Sequence, residues 1–200
     1  LNEIASLRAT ADREMRRPLK DRDLGKVKSI PTEIKALVSK IDRLNGEART
    51  LMRTSQPKII GTDLVVQRAF AVREYGGRER TIFAIATARG EPINQEDLFY
   101  AKENNGRASQ AWELLDAAMQ NPNLTSEVKS AIRDLGDKYF GAYQSLREAM
   151  FRGAATGKYE VSFQDLFQRS ETALQSAVTL LNLAVQSNLN NAEIAMTDAW

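Results

Sequence analysis

The feature that most constrains this chain is an apolar spacing of three and four residues, repeated from one segment to the next. Side chains at that spacing share one face of an α-helix. After a modest first stripe (Leu1, Ile4, Arg8, Ala11, Met15), a second segment carries Ile34, Leu37, Ile41, Leu44, Ala48 and Leu51. Further on come Leu98, Ala101, Asn105, Ala108, Trp112, Leu115 and Met119, then Val128, Ile132, Leu135, Tyr139, Ala142, Leu146 and Ala149. The last stripe runs through Phe163, Phe167, Ser170, Leu174, Ala177, Leu181, Ala184, Asn188, Ala192, Ala195 and Ala199. No stretch alternates with the period of two that a half-buried strand requires. The spacing predicts an all-α fold: an elongated antiparallel bundle of about six helices, with two stacked four-helix modules as a variant.

Breaks between the stripes place the helix ends. Pro18 ends or kinks the first helix. The charged connection from there to Pro31 either reverses the chain, giving six helices, or bends one long helix, giving five. The second helix follows Pro31 and ends near Ser55. Thr62 is the expected N-cap of the third, which stops at Gly90, two residues before Pro92. Asn94 is expected to cap the fourth; the fifth starts near Thr125 and ends around Gly153 to Gly157. The last helix, Ser162 to Trp200, would extend about 55 Å.

Composition removes several function classes. With 200 residues, 42% hydrophobic and 27% charged, the chain can bury a substantial core and is not wholly disordered. A net charge of +2, without a basic stripe interleaved with aromatics, gives no reason to expect nucleic acid. Cys and His are both absent, so disulfides, Cys nucleophiles and Ser–His or Cys–His pairs are excluded. R-G-E-P-I-N (Arg89 to Asn94) is too short for a nucleotide fingerprint, and G-A-A-T-G-K (Gly153 to Lys158) is followed by Tyr159, not Ser or Thr. The expectation is a protein that is not an enzyme, with no catalytic residues, cofactor or metal. No run of about 18 apolar residues occurs, so no membrane span is expected inside it. Residues 1–200 read as one domain excised from a longer membrane protein, and Trp200 as an interface anchor.

The third segment is apolar on almost every side, as buried helices are. Yet Ala71 to Ala88 holds Arg73, Arg78, Arg80, Glu74, Glu79 and a Gly76-Gly77 pair. Buried charge needs a partner or a ligand. Gly inside a helix costs about 1 kcal/mol relative to Ala, so two together imply a packing or functional reason. Taking Ala69, Val72, Gly76 and Phe83 as the inner stripe carries Arg73 and Arg80 onto that face and leaves Arg78 on the other side, so guanidinium groups are expected in packed surroundings from two sides of one helix. One reading is a pocket for a small anion near Tyr75 to Arg80, because a guanidinium fork matches a planar oxyanion. The other is Arg–Glu pairing across the bundle. Asn105, Ser170 and Asn188 interrupt apolar stripes, either as register-setting residues do or as contributors to a polar pocket. Arg147 and Arg152, near Tyr143, read as solvated helix-end cations or as contributors to a pocket across the bundle.

V-R-E-Y-G-G-R-E-R-T-I-F-A (Val72 to Ala84) resembles the helix of nitrate- and nitrite-sensing type domains, and the corresponding segment in extracytoplasmic sensor regions of bacterial methyl-accepting chemotaxis proteins. G-A-A-T-G-K-Y-E-V-S-F-Q-D-L-F (Gly153 to Phe167) is similar to the connection before the last helix of such sensors. The resemblance implies a periplasmic helical bundle, often of two stacked modules, carried between two membrane spans and acting as a homodimer. It makes Arg78 and Arg80, flanking Glu79, candidates for oxyanion contact. Thr81 departs from the Gly common in the nitrate-sensing pattern, so an organic acid or another small solute is expected as readily as nitrate.

Two functions are therefore expected. The first is a ligand-sensing domain of a transmembrane chemoreceptor, binding a small anion or carboxylate through Arg73, Tyr75, Arg78, Glu79 and Arg80. The second is a ligand-free structural or dimerisation module of a membrane signalling protein.

Overall fold

Helices and no strand make up the described part of the chain, residues 2–55 and 60–197 of a computed structural model. The expectations at Leu1, Ala199 and Trp200 lie outside it, as do those for the side chains of Ala48, Leu51 and Ala195. The all-α expectation holds. Contacts divide the chain into two compact units, Leu1–Ser55 and Gln56–Trp200.

The first unit is a helical hairpin: α1 (Asn2–Arg16), a 3₁₀ turn (Leu19–Asp21) and α2 (Leu24–Ser55). The connection reverses the chain, since Lys40 Nζ donates to Glu3 at 3.1 Å and the Asp23 amide donates to Glu14 at 2.9 Å. Six helical rods result. α2 begins before Pro31 and passes through it, contrary to the expected start. The Asp23 side chain accepts from the Lys26 amide at 3.2 Å and opens the helix there, so Pro31 forfeits one interior hydrogen bond. Among the described residues of this unit only Glu14 is buried, while Ile34 (48%), Ile41 (40%) and Leu44 (61%) stay exposed.

The second unit runs up, down, up and down through α3 (Ile60–Arg89), α4 (Gln95–Ala118), α5 (Ser126–Leu135) with its continuation α6 (Gln144–Gly153), and α7 (Phe163–Thr197). Thr62 is buried inside the first turns of α3, not a cap at its start. Asn94 does cap, accepting from the Asp97 amide at 2.8 Å, and Thr125, at the expected start of α5, caps that helix by accepting from the Val128 amide at 3.3 Å. The core joins Val65, Val72 and Phe83 of α3 to Leu115 of α4, Ile132 and Leu135 of α5, Met150 of α6, and Leu166, Leu174 and Leu180 of α7. α7 turns Leu166 and Ser170 inward, leaving Phe163 and Phe167 half exposed although both belong to the expected stripe. A period of 3.5 drifts from the 3.6 of a real helix over an element this long.

Two loops interlock at one end of this unit. The Ile93 amide donates to Ala154 O at 2.8 Å, and Tyr159 Oη donates to Glu91 O at 2.8 Å. Gly157, at φ +69°, lets the backbones touch: a Cβ there would lie 2.8 Å from Pro92 N.

Between α5 and α6, Gly136–Ala142 is a π-helical turn. Such a turn carries one residue more than an α turn and rotates everything after it. Inward positions run Val128, Ile132, Leu135 and Tyr139 as expected; past the turn Leu146 and Ala149 are buried as expected, Tyr143, Arg147 and Met150 are buried beside them, and Ala142 is exposed.

Candidate functional site

The charge buried at the centre of α3 is a carboxylate, not an arginine. Val72, Gly76, Glu79, Phe83 and Ala86 continue one 4-3-4-3 stripe, and Glu79 is fully buried on it. Its Oε2 accepts from Arg147 Nε at 3.1 Å and its Oε1 from Asn105 Nδ2 at 3.2 Å. Arg147, 2% exposed, also donates through Nη1 to Gln144 at 2.6 Å. Its guanidinium lies over the rings of Tyr139 (4.7 Å) and Tyr143 (4.9 Å). The solvated helix-end reading of Arg147 is therefore corrected: α6 carries it into the interior, where Glu79 pairs with it. Asn105 interrupts its stripe in order to bind Glu79.

Electrostatics in this cluster are lopsided. Burial pushes the Glu79 carboxyl above the usual carboxylate range, against the opposing pull of Arg147, Asn105 and Tyr139. Burial likewise raises both Tyr139 and Tyr143, with the Glu79 charge adding to it. At Arg147 burial works against the charge, but Glu79 and Tyr139 outweigh it and the guanidinium stays charged. Tyr139 Oη, Tyr143 Oη and Arg147 Nη2 are buried without a hydrogen-bond partner.

The Gly76-Gly77 pair divides in function. At Gly76 a Cβ would collide with the Tyr139 hydroxyl and lie 2.8 Å from Leu174, so the missing side chain is what admits Tyr139 between α3 and α7. At Gly77 a Cβ would meet only the flexible end of Arg73.

The five expected ligand-binding residues do not converge on one pocket. Arg78 binds Glu74 at 2.8 Å within α3 and lies 5.7 Å from the Tyr75 ring, which Arg107 of α4 approaches at 5.3 Å. Arg80 turns to α7, where it pairs with Glu171 and covers the Phe167 ring at 5.1 Å. Glu79 points inward to α6. Arg73 has no hydrogen bond or ion pair among the described residues. Ser170 satisfies itself on Phe167 O at 3.0 Å, whereas Asn188 Oδ1 is buried without a partner.

An open groove with a volume of about 1020 Å³ follows the outer side of α7 beside α5 and the π turn. Phe163, Phe167, Glu171 and Gln175 line it from α7, and Asp134 and Lys138, paired at 2.9 Å, from the other side. Arg80 reaches this groove through two of its lining residues, Glu171 and Phe167. Among the described residues no acidic cluster could hold a metal ion, and no helix is long and apolar enough to cross a membrane. No family model matches the chain, and neither a curated protein nor a solved structure matches it.

Proposed function

We propose that this chain is the ligand-sensing portion of a membrane-bound signalling receptor of the chemoreceptor kind, and that its ligand is a small organic acid with an apolar body. The observation that supports this best is the groove on α7. Its volume, about 1020 Å³, lies near the upper end of small-ligand sites, and Phe163 and Phe167 offer it an apolar floor. Arg80 stands behind that floor, neutralised by a half-exposed Glu171. A ligand carboxylate taking the place of Glu171 keeps the Arg80 charge paired while releasing a tie between α3 and α7. Such a ligand binds one helix arrangement better than the other, which is what shifts a two-state equilibrium. α7 spans 35 residues and would carry the displacement along its axis. In this reading the chain works in the periplasm, as a homodimer, between membrane spans.

Thermal melts with benzoate, succinate, acetate and nitrate test it. A binder at a hundredfold excess over its Kd stabilises by about 2.7 kcal/mol, a rise of several degrees for a chain of this size. Arg80→Ala should abolish that rise. If none of the four moves the melting temperature, or the variant responds like the parent, the reading fails.

One observation favours the second reading, a ligand-free dimerisation module. On α2, Ile34 and Ile41 occupy one heptad position and Leu37 and Leu44 the other, and three of these four are exposed. β-Branched residues at the first position with Leu at the second favour a parallel two-stranded pairing. Sedimentation of the chain should then show a dimer that Ile41→Glu dissociates; a monomeric parent removes this reading.

A further inference from the structure

The charges around the α7 groove cancel two by two. Arg80 pairs with Glu171, and on the opposite wall Lys138 pairs with Asp134 at 2.9 Å. Arg73, which has no ion pair among the described residues, is not one of the lining residues. The two halves of the Arg80–Glu171 pair differ in freedom. The Arg80 side chain is 17% exposed and that of Glu171 50%, so Glu171 is the half that can move aside.

That difference decides which kind of acid fits. A bare carboxylate that takes over Arg80 leaves the Glu171 carboxylate beside it without a cation. Two anions then share one guanidinium, and like charges at that range repel. A ligand that brings its own cation next to its carboxylate avoids this.

Resting on the reading of the groove as an organic-acid site, we propose that its ligand is a free α-amino acid with a large apolar side chain, bound with its carboxylate on Arg80 and its ammonium on the Glu171 carboxylate it displaces. One tetrahedral carbon carries both charges, so they meet the two halves of one ion pair together and the charge count of the site is unchanged. A peptide end offers only one of the two charges and fails the same count. The side chain rests on Phe163 and Phe167, whose rings stand 6.0 Å apart on successive turns of α7. Phe167 lies one turn before Glu171 and under the Arg80 guanidinium, at 5.1 Å, so the ion pair and the apolar floor are contiguous. Flat aromatic or branched aliphatic side chains suit such a floor.

Titration calorimetry on the full chain tests this with phenylalanine, with hydrocinnamate, which lacks the ammonium, and with phenylalaninamide, which lacks the carboxylate. The three share one apolar body. Phenylalanine should bind about tenfold or more tightly than either of the others, a difference of about 1.4 kcal/mol. Glu171→Gln removes the group that the ammonium needs and, at a half-exposed position, leaves the core untouched. In that variant the preference for phenylalanine over hydrocinnamate should vanish or reverse. Arg80→Ala should abolish binding of both. If hydrocinnamate binds through Arg80 as tightly as phenylalanine, or if Glu171→Gln leaves the preference intact, the proposal is overturned while the organic-acid reading stands. If neither compound binds, or if Arg80→Ala leaves their binding unchanged, both are overturned.

Discussion

Two adjacent glycines on α3 make a controlled comparison. Gly76→Ala forces a methyl group against Tyr139 and Leu174, both buried, and should destabilise by about 1–3 kcal/mol. Gly77→Ala meets only the end of Arg73 and should be neutral or stabilising by about 0.5–1 kcal/mol, because it restricts the unfolded chain. Chemical denaturation of the two variants checks the contrast. Glu79 and Arg147 form a second asymmetric pair. A carboxyl whose pKa is raised on folding holds its proton more tightly in the folded state. Its contribution is therefore greatest below the unfolded value of about 4.3 and declines as pH climbs through the raised folded value. Glu79→Gln removes that titration, so it should match the parent near pH 4 and equal or exceed it at pH 8. Arg147→Ala leaves the carboxylate uncompensated, costing about 3–5 kcal/mol at neutral pH and progressively less in acid. Melting temperatures across pH for the three proteins decide it.

At the scale of elements, the π turn is seated on α4. Trp112 stacks on Phe140 at 5.1 Å, and a Cβ at Gly136 would come within 2.5 Å of its ring. Gly136→Ala should therefore destabilise the unit by about 1–3 kcal/mol and alter Trp112 fluorescence. Most element boundaries were legible from caps and breaks, as at Asn94 and Thr125, where one side chain closes on one amide. Those that were not depend on what surrounds them. Pro31 reads as a helix start, yet the Asp23 cap opens α2 before it. After Tyr139 the 3-4 count finds Leu146 and Ala149 but not Tyr143, Arg147 and Met150, because the inward face of α6 is wider than one stripe, and Ala142 falls in the π turn and is exposed. The centre of the site was half legible. α3 was marked as a buried helix bearing charge, but the long stems of Arg78 and Arg80 carry their guanidinium groups to outer partners, whereas the short stem of Glu79 cannot leave the core. Two signals could have found it: Glu79 stands in step between Gly76 and Phe83, and Asn105 is a polar residue facing the same interior.

Across the whole molecule the two units differ in how they are held. The hairpin buries no apolar side chain among its described residues, while the four-helix unit buries a continuous core. Amides of α1 should thus exchange with an opening free energy near zero, and those of α3 and α7 near the global value, in a hydrogen-exchange experiment on the full chain. The four-helix unit also has one end unlike the other. Where Gly157 lets the loop before α7 rest on the backbone at Pro92, and Ile93 and Tyr159 fasten the two loops together, those helix ends cannot part. That knuckle is a pivot. Any movement of α7 against α3 must open like a fan, smallest beside Phe163 and growing with distance toward Thr197.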